Sequence, residues 1–241
     1  MKADPQAQRG LLELAALDTQ VRQLTHRLRA LPEAERLAAA TSAARTAADE
    51  ASVIAMRIED VEREIAKREG DVDAVRQREE RDEQLLKSGA LDSRVQNDVQ
   101  HELGSLRKRQ AAFEDELLGF MEQREQELAV LARAQERRAE AQAAAQAARA
   151  ALSEAESQVK EQLQAAESSR EARAAQIPGE LLALYERLRA RGTAAGRLDG
   201  RKCGACRLEL TVSQMAEMSA AAPDEVLRCP ECDAILIRVG A

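Results

Sequence analysis

Two Cys-x-x-Cys pairs near the C-terminus restrict what this chain can become more than any other feature. Cys203-Gly204-Ala205-Cys206 and Cys229-Pro230-Glu231-Cys232 hold all four cysteines, with 22 residues between the pairs. Each pair closes a tight knuckle whose two sulfurs point to one centre, and two knuckles supply four thiolates for a tetrahedral Zn²⁺. Gly204 is expected to help the chain turn back under the metal, and Pro230 presets the second knuckle. Two disulfides or four idle thiols are the competing readings, and this spacing speaks against both. A set of four thiolates is coordinatively closed, with no position left for a substrate, so the zinc reads as a folding staple and not as a catalyst. So short a segment cannot bury enough apolar surface to hold itself together, and the metal supplies the missing free energy.

The rest of the chain reads as helix. Of its 241 residues, 44% are hydrophobic, yet aromatic residues make up 1% and charged residues 33%. Alanine carries much of the apolar count, as in long helices and coiled coils and unlike an enzyme with a thick core. Leu14, Leu17, Val21, Leu24, Leu28 and Leu31 alternate spacings of three and four, and Pro32 then interrupts them. The seam resumes from Leu37 through Ala51, Ile54, Ile58, Val61 and Ile65 to Leu86, in a shifted phase. A proline removes a helix hydrogen bond and adds a clash, so a kink is expected at Pro32. A turn is expected over residues 87–93, with Gly89 as a left-handed cap and Asp92 or Ser93 capping the next helix. A second seam runs from Leu103 and Leu106 through Phe113, Leu117, Phe120 and Leu131 to Val159.

Equal arms on either side of Gly89 favour an antiparallel hairpin within one chain over a parallel dimer. Reflection about Gly89 places Ala47 level with Leu131, and the Ala-rich runs 38–51 and 139–151 then meet only at their ends. After the break at Ile177-Pro178-Gly179, a short amphipathic helix presents Leu181, Leu184, Tyr185 and Leu188 on one face. Tyr185 is expected to seat that helix as a core residue. Gly192 to Gly196 then reads as a flexible joint. The expected organisation is mainly α: a coiled-coil hairpin over 5–176, a short helix and neck over 177–196, and a small zinc ribbon over 197–241.

Three stretches give the chain a family likeness. They are His101-Glu102-Leu103-Gly104 with Arg107-Lys108-Arg109, then Ile177-Pro178-Gly179-Glu180-Leu181-Leu182 with Tyr185, and the four cysteines. The chain resembles the C4-type zinc-ribbon proteins in which a long antiparallel coiled-coil hairpin carries a C-terminal ribbon, and the likeness covers nearly the full sequence. It implies a regulatory adaptor in gene expression, since relatives of this kind bind an alternative sigma factor and RNA. One departure is Asp233, which stands after Cys232 where such ribbons usually have glycine.

Candidate contacts follow the charge. The chain carries a net −7, but Arg187, Arg189, Arg191, Arg197, Arg201, Lys202 and Arg207 gather around the neck and are the candidate nucleic-acid contacts. A solvated helix face is the plainer reading of such a run, and the aromatic platforms that stack bases are missing. Leu208, Leu210, Met215 and Met218 form a candidate protein-docking surface, with the ribbon's own small core as the alternative. His26 and His101 fall on polar helix faces. No phosphate loop, nucleophile elbow or histidine-served carboxylate is present, so no enzyme is expected. Protein partners are expected first, the transcription machinery among them, and RNA or DNA second, with no membrane and no small-molecule substrate. A structural spacer or clamp, whose ribbon only stabilises the hairpin base, is the alternative. The absence of an apolar leader, together with zinc-spaced cysteines, points to the cytoplasm.

Overall fold

A computed structural model describes residues 1–89 and 91–238. Ala90, inside the expected turn, and residues 239–241, at the end of the expected ribbon, lie outside the described residues. The elements run α1 (Pro5–Arg29), α2 (Pro32–Lys87), α3 (Ser93–Ala174), α4 (Gly179–Arg189), β1 (Ala195–Asp199), β2 (Lys202–Cys203), α5 (Val212–Ala220), β3 (Leu227–Arg228) and β4 (Ile235–Arg238). The long helices form an antiparallel coiled-coil hairpin, and the C-terminal region is a small zinc ribbon. Contacts divide the chain into two compact units, one of Met1–Ala34 with Ala151–Ala241 and the other of Glu35–Ala150.

In the unit Glu35–Ala150, α2 buries Ala51, Ile54, Ile58, Val61, Ile65, Val72 and Val75. These alternate spacings of three and four and mark the a and d positions of a heptad seam. Leu103, Leu106 and Ala134 are buried on α3 in matching phase. The Asp92 carboxylate accepts hydrogen bonds from the backbone N–H of Arg94 and Val95, each at 3.0 Å, and so starts α3. Gly89 takes a left-handed φ of 67° after α2.

The register differs from a reflection about Gly89. Leu131 packs with Ala51, Ile54, Ile58 and Ala134, and not level with Ala47. The offset between Ala47 and Ile54 is about 10 Å along the helix. Apolar matching along the seams sets the register, and the count of residues from the turn does not. In consequence the Ala-rich runs face each other, with Ala39, Ala43 and Ala47 across one groove from Ala141 and Ala144. Cysteines placed at Ala51 and Ala134 should therefore oxidise to an intrachain disulfide, while the pair Ala47 and Leu131 should not. Non-reducing electrophoresis checks this, and crosslinks that form only between chains would overturn the hairpin.

The other unit contains α1, residues 151–174 of α3, α4 and the ribbon. The Asp4 side chain caps α1 by accepting from the Gln6 backbone N–H at 2.6 Å, with Pro5 in the first turn. At Pro32 the helix ends outright where a kink was expected. Ala30 leaves helical geometry, and a new helix begins with the proline in its first turn. Pro32 bars its predecessor from the α region as well as lacking its own donor. Leu31, in the gap, is buried with Leu24, Val159 and Ala166. The seam of α1 also differs by one position: Leu11, Leu14 and Asp18 are buried, whereas Leu17 is only half-buried.

The ribbon sheet has the order β2-β1-β4-β3, with β1 and β4 parallel in the middle. Successive residues of β4 alternate between two cores, as strand geometry requires. Ile235 and Ile237 join Leu11, Leu14, Ile177, Leu181, Tyr185, Leu188, Ala194 and Ala195. Leu236 joins Cys203, Leu210, Met218, Leu227 and Cys229. The expected flexible joint is therefore corrected: Ala194, Ala195 and Gly196 are buried, and the last two already belong to β1. The first residues add a further tie, because the Ala3 N–H donates to the Asp224 carbonyl at 2.7 Å and the Val226 N–H to the Met1 carbonyl at 3.1 Å.

Candidate metal centre

Each knuckle begins at the end of a short strand, β2 for Cys203 and β3 for Cys229, and turns back on its own backbone. The Arg207 N–H donates to the Cys203 carbonyl at 2.7 Å, and the Asp233 N–H to the Cys229 carbonyl at 2.9 Å. The residue after the second cysteine is left-handed in both, with φ of 64° at Arg207 and 66° at Asp233. Asp233 tolerates that backbone well, and its side chain pairs with Arg228. That Arg207 does the same without glycine carries no sequence signal.

Gly204 lies in the turn of the first knuckle, as expected, but its backbone is not left-handed, and what the missing side chain provides there is a close approach. A Cβ on Gly204 would lie 2.7 Å from the Arg197 carbonyl oxygen, and one on Gly196 would lie 2.4 Å from the Ala205 nitrogen. The two glycines let β1 and the first knuckle touch backbone to backbone, and the Gly204 N–H donates to the Arg197 carbonyl at 2.8 Å. Other local ties fix the segment between the knuckles. Thr211 and Gln214 make a reciprocal capping box at the start of α5. The Arg238 guanidinium donates to the carbonyls of Ala221 at 2.9 Å and Ala222 at 2.6 Å, which secures the chain after α5.

The four ligand atoms of Cys203, Cys206, Cys229 and Cys232 lie within 4.8 Å of one another. Sulfurs of opposite knuckles approach to 3.8 Å for Cys203 with Cys232 and 3.9 Å for Cys206 with Cys229. A tetrahedral ion with bonds of about 2.3 Å requires sulfurs about 3.8 Å apart, so the donor set fits zinc by chemistry and by spacing. The thiols are not uniform. Burial raises that of Cys203 and pushes that of Cys232 up to about 12, whereas the Leu208 backbone N–H lowers that of Cys206.

The seven basic candidates separate into two groups. Arg189 turns inward, its Nε 2.8 Å from Asp18 and its Nη1 3.3 Å from Glu186. Arg201 donates twice to the Leu210 carbonyl, at 3.2 and 3.0 Å, and so braces the strand beside the first knuckle. Lys202 faces Glu209 at 3.7 Å. Arg189 and Arg201 thus act as internal braces, with part of each guanidinium engaged by the fold itself. Arg187, Arg191, Arg197 and Arg207 are exposed, and among the described residues none of the four pairs with a carboxylate. Arg191 borders a groove shared with Thr193, Ala205, Cys206, Cys232 and Asp233.

The docking candidates also separate. Leu210 and Met218 are buried in the ribbon core with Cys203, Leu227, Cys229 and Leu236, and so offer little surface to a partner. Met215 packs against the same core, and Leu208 is exposed.

A polar cluster escaped sequence reading altogether. Asp18 of α1 is 3% exposed and accepts from the Tyr185 hydroxyl at 2.6 Å, from Arg170 Nε at 2.7 Å and from Arg189 Nε. Arg170 also pairs with Glu186. Burial first, and then the bond to Asp18, raises the Tyr185 hydroxyl above its ordinary value. The cluster ties α1, α3 and α4 together beside the sheet. Its one trace in the sequence was a charge one place from the seam residue Leu17.

Comparison with known proteins agrees with this architecture. Residues 14–193 match the CT398-like coiled coil hairpin domain, and residues 202–236 match the C4-type zinc ribbon domain. An uncharacterized protein of Mycobacterium tuberculosis is 43% identical, over 99% of this chain and 98% of its own length. A solved structure from Mycobacterium smegmatis superposes with a TM-score of 0.86 at 38% identity, covering 99% of this chain and all of the other. The structure of CT398 from Chlamydia trachomatis shares the fold at 17% identity, with a TM-score of 0.65 over 97% of this chain and 98% of its own. The chain belongs to the CT398-like family of coiled-coil hairpin proteins that carry a C4-type zinc ribbon.

Proposed function

We propose that this protein is a non-enzymatic, zinc-binding adaptor of the cytoplasm. It engages a protein partner of the gene-expression machinery, and secondarily nucleic acid, through the ribbon and the adjoining end of α4. The observation that carries this reading is the set of four arginines, Arg187, Arg191, Arg197 and Arg207, which have no carboxylate partner among the described residues, around a metal-held module. Unpaired cations on a rigid support attract an acidic surface and cost little ordering entropy on binding. Among the described residues no helix is long and apolar enough to cross a membrane.

A second reading, a spacer or clamp whose ribbon only stabilises the hairpin base, is favoured by one observation. Ile235 and Ile237 of the sheet share a core with Leu11 and Leu14 of α1. Crosslinking in native lysate, with and without nuclease, separates the two. Replacing the four free arginines with alanine should remove the crosslinked partner and flatten the salt dependence of its capture, while Arg201→Ala should mainly lower stability. Partners that survive nuclease are bound as protein, and those lost to it are held through nucleic acid. If every crosslink survives the fourfold replacement, the adaptor reading at this end fails and the spacer reading stands.

A further inference from the structure

The geometry points to a second interaction surface, on one flank of the hairpin within Glu35–Ala150, shaped to take a cationic amphipathic helix from a partner protein. Ion pairs sort the flanks. Arg76 with Glu114 at 2.6 Å and Arg107 with Glu83 at 3.0 Å join e positions, the ones that follow each d. Arg78 with Glu102 at 2.9 Å and Arg137 with Glu50 at 3.8 Å join g positions, the ones that precede each a. The e positions of both helices, with the neighbouring b positions, therefore share one side of the coiled coil.

On that side α3 leaves a stripe uncovered. Leu118 is 58% exposed, Met121 42% and Leu128 43%, although each is large and apolar. Leu118 takes a b position and Met121 and Leu128 take e positions, so all three lie on one side of the helix with Glu125 at the b position between the last two, and Met121 adds a side chain that adapts to its neighbour. Opposite them, α2 offers the small side chains of Ala55 and Ala66 at e and b positions. Two packed helices leave a shallow trough along each side of their contact, and on this side the α3 stripe gives it an apolar wall suited to the apolar face of one added helix.

Charge selects the occupant. The remaining e and b positions of α2 along the trough are Glu59, Glu62, Glu69 and Asp73, all exposed. On α3 the stripe is bordered by Glu122 and Glu125, exposed likewise. None of these six acids has an ion-pair partner among the described residues, although Arg63 with Asp60 and Lys67 with Glu64 pair nearby. From Ala55 to Asp73 on α2 and from Ala111 to Gln135 on α3, no lysine or arginine occupies an e or b position. A second copy laid on this face by a twofold axis would set acid against acid, which disfavours it. A helix with one apolar face bordered by lysines or arginines meets both features at once. This surface is distinct from the ribbon end and does not depend on the role assigned there.

The test uses the full-length zinc-loaded protein and two fluorescent peptides of about 18 residues, enough for five turns of helix. Both carry the same leucine face; one has lysines on its flanks and its twin has glutamates. Fluorescence anisotropy should show the lysine peptide binding and the glutamate twin not. The double change Leu118→Ser with Met121→Ser should weaken binding about tenfold or more, whereas Met56→Ser, on a face away from the trough, should leave it unchanged. Glu62→Lys with Glu69→Lys should transfer preference to the glutamate twin, a gain that misfolding cannot imitate. Equal binding of both peptides, equal loss with Met56→Ser, or no switch with the lysine pair would overturn the proposal. So would copy-to-copy association in sedimentation that the serine pair abolishes.

Discussion

Removing the metal is expected to unfold the ribbon and loosen the elements packed on it, while the hairpin section Glu35–Ala150 stays folded. Structural zinc bound by cysteine-rich fingers contributes on the order of 10 kcal/mol or more to folding, well above the few kcal/mol such a small core supplies alone. One face of the sheet carries Cys203, Leu210, Cys229 and Leu236, and the other carries Ile235 and Ile237 against α1 and α4. Loss of the first face therefore exposes the second. Hydrogen exchange after chelation, or in Cys229→Ser, should show protection lost in β1, β4 and α5 and reduced in α4 and the start of α1. Amides around Ile54, Ile58 and Val61 should remain protected, and far-ultraviolet circular dichroism should change little. Full protection of β4 without metal would show that the sheet stands unaided. Zinc uptake should also strengthen as pH rises. The Cys203 and Cys232 thiols are raised above their ordinary value by burial, so at neutral pH the apo site holds protons that the metal must displace. Affinity measured between about pH 6 and 8 should climb, and a flat profile would mean the thiols are already ionised.

The architecture was legible where the sequence signal is local and periodic. Heptad spacing marked Ile54, Ile58, Val61 and Ile65 as buried, and the paired cysteines marked the metal site, because each pattern is imposed by one short-range geometry. What stayed hidden depends on contacts between distant segments. The register of α2 on α3 is set by which seam residues interlock, and a count from Gly89 carries no such information. Gly196 and Gly204 look like ordinary turn glycines until β1 and the knuckle are seen to touch. Arg189 and Arg201 belong to a run of cations that reads as one patch. Only the fold separates these two, engaged by Asp18 and the Leu210 carbonyl, from Arg187, Arg191, Arg197 and Arg207, which pair with no carboxylate among the described residues. Asp18 stands one place from Leu17, and the periodic pattern favoured the leucine.

Asp18→Ala should lower the stability of the hairpin base by about 3–5 kcal/mol, the range for breaking a buried charge cluster by removing one partner. The carboxylate answers three donors at once, Tyr185, Arg170 and Arg189, from two other helices. Without it, the Arg170 guanidinium, whose side chain is 17% exposed, keeps only Glu186, and the Tyr185 hydroxyl loses its acceptor in a buried site. Arg189, at 37% exposed, can turn to water, so its share of the loss is small. Tyr185→Phe should be milder, about 1.5–3 kcal/mol, since it removes one bond to a charged group and leaves the ion pairs in place. Replacing Asp18 and Arg170 together by apolar residues of similar size should recover part of the loss, because the desolvation cost of both charges goes with them. Tyr185 is the one tyrosine of a chain without tryptophan, so its fluorescence reports unfolding of this base directly in variants that retain it. Denaturant titration read at that residue checks the ranking. A change below about 1 kcal/mol for Asp18→Ala would mean the cluster is screened like a surface pair, and that the apolar core shared by α1, α4 and the sheet holds the base alone.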